Sequence, residues 1–150
     1  MSEKSSTLAP ADIQRVLEIL PHRYPFLLVD KIIEVREGFI VGQKCVTVNE
    51  WFFQGHFPGR PVMPGVLQIE AMAQTGGCLV RMRENSDGKL LFLAGIDNAR
   101  FRRPVVPGDV LRIEMTETYR RKSIGKTEGK IFVEGQLVAE ATITFSITDR

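Results

Sequence analysis

The most regular pattern in the chain is an alternation of apolar and polar residues near its C-terminal end. One face of this segment would carry five apolar residues: Ala139, Ala141, Ile143, Phe145 and Ile147. The other face would carry four polar residues: Glu140, Thr142, Thr144 and Ser146. Because successive side chains of a strand point to opposite faces, the alternation predicts a strand over residues 136–147 with one dry and one wet face.

Other segments rich in β-branched and aromatic residues also predict strands bounded by turn residues. In the second half of the chain they cover residues 90–96, 99–102, 110–120 and 126–134. In the first half, residues 26–35 and 39–48 predict two strands joined by a turn at Glu37-Gly38. Together these segments predict an antiparallel sheet of five or more strands.

Two segments repeat at the period of a helix instead. Four apolar residues share one side of a short helix predicted over residues 10–21: Ile13, Val16, Leu17 and Leu20. Asp12 is suited to the start of this helix and Pro21 to its end. Residues 66–83 are good helix formers with apolar residues around much of the circumference, which predicts a long helix enclosed on several sides.

The pair Gly76-Gly77 stands inside the longer predicted helix. Each glycine costs about 1 kcal/mol relative to alanine in such a position. We therefore expect the helix to pack closely against another backbone here, with a flexible kink as the alternative.

Helices packed on one antiparallel sheet predict the α+β class, with the longer helix as the most buried element. A chain of 150 residues with 43% hydrophobic composition fits one domain. We expect that domain over residues 11–150, after a flexible segment at residues 1–10. The longest apolar stretch contains polar side chains such as Gln68 and Arg81, so no membrane span is predicted.

The scarce residue types narrow the chemistry. Cys45 and Cys78 form no CxxC pattern, so both are expected to be reduced thiols. His22 and His56 are the only two histidines, which excludes a multi-histidine metal site. We favour metal-free chemistry, although a carboxylate site stays open. The net charge of +2 is too mild to indicate nucleic-acid binding.

The segment 55–65, Gly-His-Phe-Pro-Gly-Arg-Pro-Val-Met-Pro-Gly, holds three prolines and three glycines. Such residues fix a backbone in a specific path, which is useful for aiming His56. Its imidazole is a candidate acid or base, or a tie within the loop. Gly65 precedes the long predicted helix, so its amide is a candidate donor to a carbonyl oxygen, or simply part of a helix entrance.

Glu70 lies one turn into the long helix, where a carboxylate is costly to bury without a partner or a task. It is a candidate acid, or a glutamate favoured by the positive end of the helix dipole. His22 lies between Pro21 and Pro25 in a connecting turn, and we expect it to have a structural role.

Six basic residues suggest a docking surface for an acidic protein or a phosphate group, with a solvated strand edge as the alternative. They are Arg100, Arg102, Arg103, Arg120, Arg121 and Lys122.

Two motifs resemble the 3-hydroxyacyl-[acyl carrier protein] dehydratases of bacterial fatty acid synthesis, of the FabZ type. They are Leu-Pro-His-Arg-Tyr-Pro-Phe-Leu-Leu-Val-Asp at residues 20–30 and the segment 55–65 described above. Residues 93–105 and the Pro-Gly-Asp of residues 107–109 add to the resemblance, which covers about residues 11–147.

The resemblance implies a hotdog fold, in which an antiparallel sheet wraps a long central helix. It places the catalytic histidine at His56, the catalytic glutamate at Glu70 and the carbonyl-polarising amide at Gly65. A related dehydratase that also isomerises the double bond has aspartate at the helix position, so Glu70 favours dehydration without isomerisation. No metal and no cofactor are implied, because the substrate is carried on the phosphopantetheine arm of acyl carrier protein.

The same resemblance implies a cytoplasmic homo-oligomer, a trimer of dimers, in which histidine and glutamate of each site come from different subunits. Acyl carrier protein is the expected partner. A hotdog thioesterase is the leading alternative enzyme, and a non-catalytic acyl-binding or scaffold protein is the alternative of another class.

Overall fold

The structure is a computed structural model that describes residues 8–84 and 88–149. Within those ranges, two α-helices, a short 3-10 helix and six strands follow one another. In chain order they are α1 (Ile13–Ile19), β1 (Lys31–Arg36), β2 (Phe39–Cys45), the 3-10 helix (Trp51–Gln54), α2 (Gly65–Arg83), β3 (Lys89–Phe101), β4 (Val110–Arg121), β5 (Ile124–Val133) and β6 (Gln136–Asp149).

The strands form one antiparallel sheet in the order β1-β2-β4-β5-β6-β3. The predicted alternation in β6 is confirmed, since Ala139, Ala141, Ile143 and Phe145 are buried and the polar residues between them are half-buried. On β4, Leu111, Ile113 and Met115 are buried in the same way. This apolar face covers α2, and the α+β class predicted from the sequence is confirmed.

The long helix α2 is the most enclosed element, as predicted. Several of its side chains, including Met72, Leu79 and Val80, are fully buried. It packs against strands from both halves of the sheet, most extensively against β4 and β2. Burial of this kind is the main source of stability for a helix of this length.

Glycines of the strands, rather than those of α2, allow the helix to approach the sheet. A Cβ added to Gly42 of β2 would lie 2.8 Å from Thr75 Oγ1, and one added to Gly129 of β5 would lie 2.8 Å from Met72 Sδ. At Gly76 and Gly77 the nearest atoms would be side-chain atoms at 3.6 Å and 3.9 Å, which are ordinary contacts. The expected close backbone approach at this pair is therefore wrong.

Strand β3 differs from the prediction because it is continuous. Residues 90–96 and 99–102 were expected to be separate strands, whereas irregularities at Leu93/Gly95 and Asp97/Arg100 interrupt the pairing with β6 without ending it. Asn98 absorbs the second irregularity with a φ of 54°. β3 is also an edge strand with four half-exposed large apolar side chains: Phe92, Leu93, Ile96 and Phe101.

Other elements differ from their predicted boundaries because of local hydrogen bonds. β1 begins at Lys31 instead of residue 26, because the backbone of Phe26 and Leu28 bonds to the side chain of Gln74. The loop predicted to be irregular contains the 3-10 helix. Asp12 caps α1 as predicted, accepting a hydrogen bond from Arg15 N at 3.0 Å.

The N-terminal boundary of the domain stays a prediction. Residues 1–7 of the predicted flexible segment lie outside the described residues, as do residues 85–87 of the polar break before β3. Leu8 packs against the core, and Ala11 forms a bridge with Ile32 of β1. No helix of the described residues is long and apolar enough to span a membrane.

Candidate active site

The loop that carries His56 is anchored by two buried aromatic residues. Phe52 and Phe53 of the 3-10 helix are almost completely buried and contact each other edge to face. The backbone N–H of His56 donates to Phe52 O at 3.0 Å, and Val62 N–H donates back to His56 O at 2.9 Å. The backbone of His56 is thus held from both sides.

The imidazole of His56 has a defined orientation. Its Nδ1 lies 2.7 Å from Val62 O, and its ring stacks on Phe57 with centroids 3.9 Å apart. A carbonyl oxygen only accepts, so Nδ1 carries the proton of this hydrogen bond. In the neutral ring Nε2 therefore has the free lone pair, which is the form of histidine that accepts a proton.

Gly65 begins α2 beside His56. Both residues line a cavity of about 490 Å³, together with Phe101 at the end of β3. A Cβ at Gly65 would lie 2.9 Å from the ring of Phe101, so glycine permits this close approach. The first N–H groups of a helix have no intrahelical partner and lie at its positive end, where they favour an anionic oxygen.

Glu70 lies in another environment, a cavity of about 320 Å³. The larger apolar side chains of its wall come from β3 and from the segment 20–26, whereas α2 contributes Gln74 and Arg81 beside Glu70. Its Oε1 accepts a hydrogen bond from Gln74 Nε2 at 2.9 Å and lies 3.7 Å from His22 Nε2. Only 19% of the Glu70 side chain is exposed, so few water molecules compete with Gln74 and His22 for its carboxyl group.

The helix geometry explains why the structure brings His56 and Gly65 together and leaves Glu70 apart. Gly65 and Glu70 stand five positions apart on α2. At about 100° and about 1.5 Å per residue, they lie about 140° apart around the axis and about 7.5 Å apart along it. Within one chain, His56 and Glu70 therefore line separate cavities.

The six basic residues of the predicted docking surface divide into two separate groups. Arg102 and Arg103 line the cavity of His56, where they also bond to Glu140 and Gln136. Through the strand register, Arg120 is level with Leu93 of β3, seven residues from Arg100. This corresponds to about 20 Å along the sheet, and Arg120 pairs with Glu84 there.

Sequence reasoning missed the two glutamines of α2. Gln68 is 3% exposed, its Oε1 is buried without a hydrogen-bond partner, and it lines the cavity of His56. Gln74 is 2% exposed and bonds to Glu70. The signal was available in the sequence, since both are uncharged polar side chains on an apolar helix and need partners when buried.

No group of three His, Cys, Asp or Glu side chains within residues 8–84 and 88–149 is arranged to hold a metal ion. Cys78 lines neither cavity, and burial raises the pKa of its thiol to about 12. The expectation of metal-free and cofactor-free chemistry stays a prediction.

Solved structures with a similar fold include the dehydratase heterocomplex ApeI:P of Xenorhabdus doucetiae. It has a TM-score of 0.77 and 24% identity, with 90% of this chain and 91% of that chain covered. The PaaI protein of Escherichia coli has a TM-score of 0.60 and 20% identity, with 77% and 76% covered. At these identities the likeness establishes the fold alone, and the predicted hotdog fold is confirmed.

Sequence comparison places the chain more narrowly. Residues 20–142 match the FabA-like domain family. The FabZ 3-hydroxyacyl-[acyl-carrier-protein] dehydratase of Bacillus cereus is 54% identical over 140 residues, which cover 93% of this chain and 97% of that protein. The corresponding protein of Pelotomaculum thermopropionicum is 56% identical over 137 residues, with 91% and 98% covered.

The chain therefore belongs to the FabZ-type 3-hydroxyacyl-[acyl carrier protein] dehydratases of bacterial fatty acid biosynthesis. It is a dehydratase, as the motifs of residues 20–30 and 55–65 predicted.

Proposed function

We propose that this chain converts (3R)-hydroxyacyl-[acyl carrier protein] to trans-2-enoyl-[acyl carrier protein], using His56 as the base and Glu70 as the acid. The observation that carries the proposal is the hydrogen bond of His56 Nδ1 to Val62 O, which leaves Nε2 free beside the first residue of α2. A proton acceptor and a helix N-terminus then face the same cavity.

In the proposed reaction, His56 Nε2 takes a proton from C2 of the thioester. The N–H of Gly65 stabilises the negative charge that develops on the thioester oxygen. Glu70 gives its proton to the hydroxyl group on C3, which departs as water while the C2–C3 double bond forms. The proton on His56 then returns to Glu70 to begin another cycle, so the reaction needs no oxidant, metal or cofactor.

The two halves of this site would meet in a dimer built on β3. The start of this strand, Leu90–Leu93, lines the cavity of Glu70, and its end, Phe101, lines the cavity of His56. If a second copy pairs antiparallel along the free edge, the end of one β3 lies beside the start of the other. The cavity of His56 in each copy then adjoins the cavity of Glu70 in its partner.

This pairing would also cover the four half-exposed apolar side chains of β3, which favours it over a lone chain. We extend the proposal to a trimer of dimers, as the resemblance implies.

Arg102 and Arg103 favour acyl carrier protein as the partner. They lie at the cavity of His56, and 52% of the Arg102 side chain is exposed. Guanidinium groups at this entrance would attract an acidic surface and the phosphate of a phosphopantetheine arm. Glu70 in place of aspartate supports dehydration without isomerisation of the double bond.

The first test is an assay of the purified protein with 3-hydroxybutyryl-[acyl carrier protein], followed by mass and by enoyl absorbance. Loss of water with the thioester intact is expected. Release of a free acid would instead identify a thioesterase, and binding without conversion would identify a non-catalytic acyl-binding protein.

Co-assembly of two inactive variants tests the shared site. His56→Ala and Glu70→Gln chains, co-expressed with different tags and purified through both tags, are expected to regain activity, up to about half of the wild-type level if every dimer contains one chain of each kind. One of the two sites of such a dimer has both His56 and Glu70 intact, whereas the other has neither. A mixture that stays as inactive as each variant alone would show that each site is built from one chain.

Gly77 offers a test of where the acyl chain lies. It lines the cavity of Glu70 and a smaller adjoining one, and an added Cβ would meet Leu20 and Leu91 only at 3.9 Å. Gly77→Leu should fold but fill this space, so kcat/KM should fall by about tenfold or more for long acyl chains and little for 3-hydroxybutyryl. Gly77→Ala is the matched control. An equal loss at every chain length would contradict this path for the acyl chain.

A further inference from the structure

His22 does more in this structure than join α1 to β1. Its Nε2 faces Glu70 Oε1 at 3.7 Å, and its Nδ1 is buried without a hydrogen-bond partner. The distance exceeds a hydrogen bond but lies within the range in which the charge of an imidazole acts on a carboxyl group.

The backbone around His22 is fixed by the next residue. The guanidinium of Arg23 donates to Leu20 O at 2.8 Å, to His22 O at 2.7 Å and to Leu17 O at 2.9 Å. These bonds tie the connecting segment to the end of α1. The imidazole is consequently held in the wall of the cavity that contains Glu70.

Gln74 determines which carboxyl oxygen of Glu70 can carry the proton. The Gln74 amide is oriented by Leu28 N–H, which donates to its Oε1 at 2.8 Å, and by Phe26 O, which accepts from its Nε2 at 2.7 Å. Nε2 therefore faces Glu70 and donates to Oε1 at 2.9 Å. With a donor on Oε1, the proton of a neutral Glu70 belongs on Oε2.

The environment of His22 favours the neutral imidazole. Burial lowers its pKa most; Glu70 opposes this effect, while Arg81 and Arg23 add to it. The side chains that β3 contributes to the cavity wall, Leu90–Leu93, are apolar. Of the two neutral tautomers, the one with its proton on Nε2 avoids a buried N–H without an acceptor and points its donor at Oε1.

We propose that His22 is a positioning residue for Glu70: together with Gln74, its neutral imidazole keeps Oε1 turned inward and leaves Oε2, with its proton, facing the substrate. A positive charge at His22 would favour the carboxylate of Glu70 and remove the proton that the departing hydroxyl group needs. This inference rests on the proposed role of Glu70 as the acid.

The test compares a neutral and a charged replacement in the assembled protein. His22→Gln keeps an uncharged donor, and its kcat should stay within about threefold of wild type with an unchanged pH profile. His22→Lys places a permanent charge beside Glu70. The alkaline limb of its kcat–pH profile, where Glu70 loses its proton, should move by about one unit toward lower pH. At pH values above this limb, kcat should fall about tenfold with little change in KM.

Two further variants, Glu70→Gln and Glu70→Gln with His22→Lys, distinguish a failure of the proposed acid from a failure of the role of His22. In a Glu70→Gln background, His22→Lys should cause no additional shift of the profile, because no carboxyl group remains to respond. Wild-type activity of Glu70→Gln alone would refute the proposed acid, whatever His22 does. An inactive Glu70→Gln combined with equal pH profiles for His22→Gln and His22→Lys would overturn only the role of His22.

His22→Phe provides a readout if His22→Lys does not assemble. It removes the donor while retaining a ring, so kcat should fall about tenfold relative to His22→Gln, with similar thermal stability in both variants. Equal kcat values for His22→Phe and His22→Gln would also overturn the inference.

Discussion

The His56→Ala variant should lose activity by about 10²-fold to 10⁴-fold, the range that general acid–base groups contribute. Its Nε2 is the free proton acceptor in the cavity that Gly65 shares, and methyl replacement leaves nothing there to take the C2 proton. The measurement is kcat with 3-hydroxyacyl-[acyl carrier protein] on protein whose oligomeric state matches wild type.

The control for this variant distinguishes two roles of His56: accepting a proton, and holding the loop through its hydrogen bond to Val62 O. An asparagine at position 56 can still donate to Val62 O, yet it has no ring nitrogen that accepts a proton. If His56 is the base, His56→Asn is as inactive as His56→Ala. Recovery of most activity by His56→Asn would mean that the imidazole acts only by holding the loop, and the proposed mechanism would fail.

Glu70→Gln should reduce kcat by a comparable factor of about 10²-fold or more, because an amide of nearly the same shape has no carboxyl proton to give. The hydrogen bond from Gln74 Nε2 can still be accepted by the new side-chain oxygen, so assembly and thermal stability should change little. The effect is therefore expected in kcat rather than in folding.

Glu128→Gln is the matched control for Glu70→Gln. Glu128 lies exposed on β5, away from the cavities of His56 and Glu70, so removing its charge should leave kcat unchanged. Near-normal dehydration by Glu70→Gln would contradict the assignment of Glu70 as the acid and would direct attention to a water molecule or to His56 for both proton transfers.

Sequence pattern was most informative where one rule decided the structure. The alternation in β6 predicted its position and burial, because a sheet with one covered face imposes a period of two. The apolar residues around much of the circumference of α2 predicted its enclosure. The continuity of β3 was not predictable in this way. Its two irregularities are matters of pairing with β6, and Asn98 adopts a conformation that composition does not reveal.

In the candidate site, contacts between residues close in sequence were predictable, whereas contacts made by tertiary packing were not. His56 and Gly65 are close in sequence and lie on one rigid loop and the helix that follows, so their proximity could be expected. The contact of Glu70 with His22 could not, because it depends on the packing of the connecting segment on α2. Gln74 lies four residues after Glu70 on the same helix, so its contact with Glu70 could be expected. A turn position between two prolines favoured a purely structural interpretation of His22, whereas the structure places it against Glu70.

The exposed edge of β3 also affects how readily newly synthesised single chains aggregate. A newly folded single copy presents unpaired backbone groups beside Phe92, Leu93, Ile96 and Phe101. Such an edge accepts any available strand, so the proposed pairing along β3 would compete with aggregation while the concentration of chains rises during synthesis. Charged substitutions along β3 would thus protect a lone chain from precipitation and, by the same repulsion, prevent it from forming the proposed dimer.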